Sequence, residues 1–326
     1  MSPAGAINHS FAGRLRVSLA LTNAMKTQIP EQLKADVPLT TMGKLLLATP
    51  VIMTVIATML AGLASSEMTR AQYDRAYAAQ LQSKAGDQWN YFQAKKLRSV
   101  IQRNSIDLLQ AAAEIRPLEA ATVTKVGGTV EAATLEAITR GKLPTLAAVS
   151  GSEASVKAAL EAFEQSKPDV EIAAALNALP DATLAAALKA ARDNANGFDA
   201  TTKPVNEAIE KLEKLFEQAF AGGERAAIRD FTAARIRFAA TRYDTEARLN
   251  QGIASLLELQ VRKSNLSAER HHKRSGKFFF GMLAAQAAVI VSTFSLAAQK
   301  RNFLWSVAAI AGAVALAFAI YVFLFI

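Results

Sequence analysis

Three long uncharged stretches interrupt an otherwise polar chain. They cover residues 45–66, 278–299 and 302–326. A bilayer core of about 30 Å is crossed by about 20 helical residues, so each stretch is long enough to span a membrane. Backbone polar groups in lipid must be satisfied within the segment, which favours helices over strands. The pattern predicts three transmembrane helices, the last two forming a hairpin around residues 299–302.

Two polar segments with regularly spaced apolar residues lie between the first and second stretches. Residues 67–117 and 223–277 carry apolar side chains at intervals of three and four, which indicates helices. We predict an ascending stalk helix over 67–117 and a descending one over 223–277, packed antiparallel. Joined to the first span, the ascending helix would have roughly 70 residues and a length of about 105 Å. Pro117 is expected to end it.

The segment between the two stalk helices is broken by glycine and proline at short intervals. Such spacing is typical of short helices joined by turns. We therefore predict a small helical cap over residues 118–222. One of its helices is expected over 183–191 after a capping Asp181, and another over 205–221 after Pro204.

The predicted fold class is an all-α integral membrane protein. It has three transmembrane helices, a long antiparallel helical stalk and a small helical cap. Two alternatives are open for residues 1–44, which are a helix lying in the membrane interface or a flexible tail.

Charge is distributed unevenly along the chain. There are 37 Lys+Arg and 28 Asp+Glu, a net charge of +9, and the segments 66–116, 117–222 and 223–276 carry +3, −5 and +5. Basic residues beside a membrane attract anionic lipid, so lipid headgroups are the predicted partner and nucleic acid is not. The alternative is that these charges only solubilise helix faces. The predicted headgroup residues are Arg270, His271, His272, Lys273, Arg274, Lys300 and Arg301.

Large apolar residues on the two stalk helices are the predicted packing and assembly positions. An apolar stripe at helical spacing is typical of a helix–helix interface. The expected partners are a second copy of the chain or other membrane proteins. The predicted residues are Trp89, Tyr91, Phe92, Leu249, Ile253 and Leu256.

Two parts of the chain resemble a known family. The sequence DQWNYFQAK over residues 87–95 resembles a signature of the bacterial domain-of-unknown-function family 4337. The basic cluster at 270–274 and the C-terminal hairpin are similar to the end of that family. The resemblance covers residues 45–105 and 230–326. It implies one span, a helical region and a paired span, and it implies no chemistry.

The composition of the chain excludes most kinds of catalytic site. The chain has no cysteine and only three histidines, His9, His271 and His272, and it contains no phosphate-binding glycine loop or zinc-protease motif. We predict no cofactor and no enzymatic activity. The predicted function is a bacterial membrane scaffold that oligomerises through its stalk. Two alternatives are an accessory subunit of a larger membrane enzyme or transporter and a helical sensor or binding module.

The sequence constrains the number of membrane spans more closely than the side of the membrane on which the central region lies. The expected location is the bacterial cytoplasmic membrane. Lys and Arg flank the central region as densely as the N-terminus and the hairpin turn, so the positive-inside rule leaves both orientations open. The basic segment before an uncleaved first span favours a periplasmic central region.

Overall fold

The structure is a computed structural model, and it describes residues 41–126, 130–143, 153–219, 225–297 and 301–325. This part of the chain is helical and contains no strand. Three of its helices are long and apolar enough to cross a membrane, so the predicted all-α class with three candidate spans is confirmed. The tail up to residue 40 and the hairpin turn at 298–300 lie outside the described residues.

Eight helices are described in chain order. They are α1 (Thr41–Ala112), α2 (Ala120–Lys125), α3 (Ala132–Arg140), α4 (Ala154–Glu164), α5 (Asp169–Ala178), α6 (Asp181–Ala219), α7 (Arg225–Ala297) and α8 (Arg301–Phe325). Helix α1 has 72 residues and continues through Pro50, close to the roughly 70 expected. It ends at Ala112, ahead of Pro117. Helix α7 has 73 residues and contains no proline.

Helices α1 and α7 run antiparallel in a compact unit formed by residues 62–278. Three hydroxyl-to-carbonyl hydrogen bonds record the register: Ser275 donates to Ala64 at 2.7 Å, Ser264 to Asp74 at 2.8 Å and Ser99 to Ala240 at 3.0 Å. From the first pair to the third, the residue numbers on α1 increase while those on α7 decrease, as they do in antiparallel helices. Both helices therefore contribute one face to the same core.

Helix α6 differs from expectation. Two separate helices over 183–191 and 205–221 were predicted, which is wrong, because α6 is one helix of 39 residues with Pro204 inside it. Its buried face, which includes Phe198, Val205 and Phe216, is not interrupted by the proline. Burial of such side chains contributes about 1.5–3 kcal/mol each, enough to offset the roughly 3 kcal/mol that proline costs in a helix interior.

Residues 154–219 lie along the stalk helices instead of beyond them as a cap. Lys263 of α7 bonds to the carbonyl of Leu179 and to Asp181 near the start of α6, and Arg235 of α7 pairs with Glu213 near its end. Helix α6 is therefore antiparallel to α7 and parallel to α1. The result is a three-helix bundle, with the short helices packed against its sides.

Two hydrophobic clusters fill this bundle. The first joins residues of α1, α4, α5, α6 and α7, including Leu81, Val156, Leu176, Leu184 and Leu257. The second joins α2, α3, α6 and α7, including Val123, Ile138, Leu212, Phe216 and Phe238. The sequence shows that these positions are apolar, but the spacing of apolar residues does not specify which helices pack against each other. This explains why the lateral position of α6 was not predicted.

The turn between α5 and α6 is sharp. The two helices meet at an angle of 89° across Leu179 and Pro180. Taken together they also satisfy the length and hydropathy criteria for one broken span, which would bring the number of candidate spans to four. However, Leu176 of α5, Leu179 of the turn and Leu184 of α6 all belong to the bundle core.

The candidate spans form a second compact unit, which among the described residues comprises 41–61, 279–297 and 301–321. Small side chains line its interior: Ala285, Ala288, Ala308, Ala315, Ser292 and Ser295 are almost completely buried. A Cβ at Gly312 would collide with the Met53 side chain. Small residues permit close helix contact where no hydrophobic effect drives association. The large apolar residues, such as Val51, Phe294 and Ile310, are exposed instead, as lipid-facing positions would be.

Candidate functional site

The six predicted packing residues serve mainly to pack this chain against itself. The Trp89 indole donates to Glu258 across the α1–α7 interface at 2.8 Å, and its ring meets that of Phe92 edge-on at 5.5 Å. Ile253 and Leu256 are buried, and Leu249 is half-buried. Only Tyr91, 57% exposed, leaves most of its surface free for a partner.

A charged layer centred on Asp244 also joins the two helices. Its carboxylate accepts from Lys96 at 2.8 Å and from the Arg248 guanidinium, with Arg103 at 3.7 Å, and its side chain is only 6% exposed. The hydrogen bonds from Lys96 and then Arg248 lower the pKa of Asp244 to about 2. One carboxylate thus holds cations from both α1 and α7, which fixes the register of the pair.

Two residues further along α7, Glu246 forms a second part of this layer. Lys95 lies 2.5 Å from its Oε2 and Arg242 3.3 Å from its Oε1, while the Glu246 side chain is 8% exposed. The Tyr243 ring lies beneath the guanidinium groups of Arg242, at 4.6 Å, and Arg98, at 5.8 Å. Cations over an aromatic face are stabilised by its quadrupole. Sequence spacing alone makes these charges look like a solvated helix face.

The opposite side of α1 carries an exposed row that we call the α1 stripe. It consists of Ala94, Leu97, Ile101, Asn104, Leu108 and Ala111, alternately three and four residues apart. Leu97, Ile101 and Leu108 are 61%, 50% and 71% exposed. No described part of the chain covers them. Uncharged residues at this spacing form the seam of coiled coils.

The sequence pattern did not distinguish the α1 stripe from the face of α1 that packs against α7. Inward positions such as Ser99 and outward positions such as Ile101 interleave on the same helix. The available signal was that α1 is apolar on two sides. A two-helix stalk needs only one such side.

Part of the chain is similar to a known protein family. Residues 46–179 match the model of DUF4337, a domain of unknown function. This confirms the resemblance carried by residues 87–95. The DUF4337 match also continues through residues 106–179, where the resemblance was not expected to extend. No curated protein and no solved structure gives a significant match.

The DUF4337 range contains the α1 stripe but not the whole charged layer. Lys95, Lys96 and the stripe lie inside it, whereas Asp244 and Glu246 lie outside. The C-terminal hairpin is also outside the DUF4337 range, so its likeness to that family stays a prediction.

The predicted headgroup residues, which lie outside the DUF4337 match, separate into two groups. His271 and Arg274 are half-buried, whereas His272 and Lys273 are exposed. His271 Nδ1 lies 2.5 Å from Glu67 Oε2, and its Nε2 lies 4.0 Å from Asp74. Residues three apart lie on the same face of a helix. His271 and Arg274 therefore face the bundle, whereas His272 and Lys273 face solvent or lipid.

Arg270 donates to the Asn177 side chain at 2.9 Å, and Lys273 pairs with Glu269 at 2.6 Å. Lys300 lies outside the described residues, as does the side chain of Arg301. Among the residues that are described, no group of three or more His, Cys, Asp or Glu could hold a metal ion.

Proposed function

We propose that this protein is a non-enzymatic bacterial membrane scaffold that self-associates through the α1 stripe. The observation that carries the proposal is the row of large apolar side chains, Leu97, Ile101 and Leu108, exposed on a helix whose other face is already packed. Isolated exposed apolar residues are common on protein surfaces, but a contiguous row at coiled-coil spacing indicates an interface.

The α1 stripe replaces the assembly surface first expected on the stalk. Ile253 and Leu256 are buried within one chain and have little surface left to offer. By contrast, burying the exposed half or more of three large side chains would contribute roughly 1–2 kcal/mol each. Ala94 and Ala111 allow close approach of a second helix, and Asn104 is suited to specify the register of pairing.

Membrane attachment supports assembly of this kind. Three candidate spans would confine every copy to one surface, which raises the effective concentration of the stripes for one another. We further propose that the location is the cytoplasmic membrane, with residues 67–277 in the periplasm. The exposed His272 and Lys273 would contact anionic headgroups.

The main alternative is an accessory subunit of a larger membrane enzyme or transporter. The α1 stripe would then contact an unrelated chain, and the exposed apolar residues of the spans, such as Ile290 and Phe294, would contact that complex's helices. Extraction of the protein from membranes, with identification of every chain in the particle, distinguishes the two functions.

The test is the intact mass of the full chain extracted from native membranes in a mild detergent. We expect a multiple of 34.8 kDa for the wild type and a monomer for the double variant Leu97→Gln, Leu108→Gln. Val170→Gln is the matched control, because Val170 is 80% exposed on α5 and outside the stripe; it should behave as wild type. A monomeric wild type contradicts self-association, and stoichiometric unrelated subunits support the accessory role.

A further inference from the structure

A polar cleft opens between α1, α6 and α7, away from the α1 stripe. Its volume is about 290 Å³, at the lower end of the range of small-molecule sites. Most of its lining is polar. The polar residues are Gln88, Arg192, Asn196, Asp199, Glu246 and Asn250.

One shielded hydrogen-bond acceptor among the described residues of this cleft is left without a donor. Gln88 Oε1 is shielded from solvent and has no hydrogen-bond partner among the described residues. Glu246 Oε2 is paired with Lys95 at 2.5 Å, so it is not open to an occupant. The Asn250 side chain donates its amide nitrogen to the Glu246 backbone carbonyl at 2.7 Å, which leaves its oxygen as a further acceptor.

Buried acceptors without donors are rare because each costs about 1–3 kcal/mol. An occupant that donates a hydrogen bond to Gln88 Oε1 would remove this cost, and the Asn250 oxygen offers it a second acceptor. An ammonium group has three donors and one positive charge. Asp199 at the rim favours such a charge, since burial and the nearby Glu246 raise the pKa of its carboxyl group and the cations Lys95 and Arg242 only partly counteract them. A cation placed beside it would offset both effects.

Arg192 adds a positive charge to a cleft whose other charged residues, Asp199 and Glu246, are acidic. It lies two helical turns before Asp199 on α6, about 10 Å along the axis, and lines the same cleft. A guanidinium binds carboxylates through paired hydrogen bonds. The lining therefore presents acceptors for an ammonium at the Asp199 end and a donor for a carboxylate at the Arg192 end.

We infer that this cleft binds a small zwitterion of the amino-acid class, with its ammonium group at Gln88 and Asp199 and its carboxylate at Arg192. A bare metal ion fits less well, because Lys95 and Arg242 already neutralise Glu246. This binding activity is separate from self-association, since no cleft residue belongs to the α1 stripe.

The experiment is calorimetric titration of the full chain in detergent at constant ionic strength. The probes are the common α-amino acids together with 4-aminobutanoate and 6-aminohexanoate. n-Butylamine and butanoate serve as controls that each carry one of the two charges. We expect at least one zwitterion to bind and both singly charged controls to bind at least tenfold more weakly. No binding by any zwitterion, or equal binding by n-butylamine, overturns the inference.

Variants locate the site. Asp199→Asn and Arg192→Gln should each weaken binding by about tenfold or more, because each removes a charge-assisted contact. The matched control is Asp193→Asn, which changes an exposed carboxylate on the same helix that pairs with Lys189 at 2.5 Å and does not line this cleft. The control should bind as wild type. Equal loss in all three variants, or in none, contradicts the assignment. Circular dichroism checks that each variant is folded.

Discussion

Replacing Asp244 by asparagine tests whether the charged layer stabilises the bundle. The pKa of Asp244 falls from an ordinary 3.8 to about 2, and each pKa unit corresponds to about 1.4 kcal/mol. The shift therefore represents at most about 2.5 kcal/mol of folding free energy. Lys96 and Arg248 are 49% and 73% exposed, so water screens part of this attraction. We expect Asp244→Asn to destabilise the bundle by about 1–2 kcal/mol at pH 7.

The sign of the pH dependence follows from the lowered pKa. Asp244 contributes its stability in full above the ordinary value near 3.8, and the contribution is lost as pH falls through about 2, where the folded carboxylate is protonated. The difference between wild type and Asp244→Asn should therefore be constant from pH 7 to pH 5. It should shrink progressively toward pH 2.

The assay is urea unfolding of the full chain in detergent, followed by tryptophan fluorescence. The chain has two tryptophans, so a Trp305→Phe background leaves Trp89, on the α1–α7 interface, as the reporter. Asp193→Asn is the control, because its exposed ion pair should contribute less than about 1 kcal/mol. A loss below about 0.5 kcal/mol for Asp244→Asn, or a difference that does not change at acid pH, would refute the reasoning.

Three further substitutions test other parts of the structure. Gly312→Leu should disrupt packing of the span unit, because its side chain would occupy the space of Met53; the aggregation temperature in detergent should fall, and adding Met53→Ala should partly restore it. Pro204→Ala should raise the free energy of unfolding by about 1–3 kcal/mol, since it supplies a missing helix donor. Ser99→Ala should lower it by about 1 kcal/mol, because the buried hydroxyl donates to Ala240.

Each of these results has a contradicting outcome. An unchanged aggregation temperature for Gly312→Leu would mean that α1 and α8 do not pack closely at this point. Destabilisation by Pro204→Ala would show that the bundle requires the local geometry that proline imposes on α6. Ser105→Ala is the control for Ser99→Ala: it removes a hydroxyl that bonds only within its own helix and should have little effect.

The spans and the long helices were predictable because their signals are local. Uncharged length identifies a span, and three–four spacing identifies a helix. The continuity of α6 was not predictable in this way, since Gly197 and Pro204 are local breakers. The face containing Phe198, Val205 and Phe216 outweighs them only when it is buried by other helices.

The candidate sites were less accessible to sequence reasoning. Asp244 and Glu246 resemble the solvated charges of any helix surface until Lys95 and Lys96, about 150 positions earlier, are brought beside them. The α1 stripe becomes distinct only when the inward face of α1 is known. In both cases the missing information is the identity of the neighbouring helix, which periodicity does not contain.

The antiparallel pairing of α1 with α7 has a consequence for synthesis. Ser99 and its partner Ala240 are 141 residues apart, an interval that translation at about 5–20 residues per second covers in roughly 7–28 s. During that time the inner face of α1 lacks its final neighbour. Ala71, Ala78 and Ala85, all buried in the finished bundle, present little apolar surface to other nascent chains. Between residues 71 and 85 the inner face of α1 thus exposes mainly alanine, with Leu81 as its large apolar side chain, and we expect this to limit aggregation during a delay that the chain order makes unavoidable.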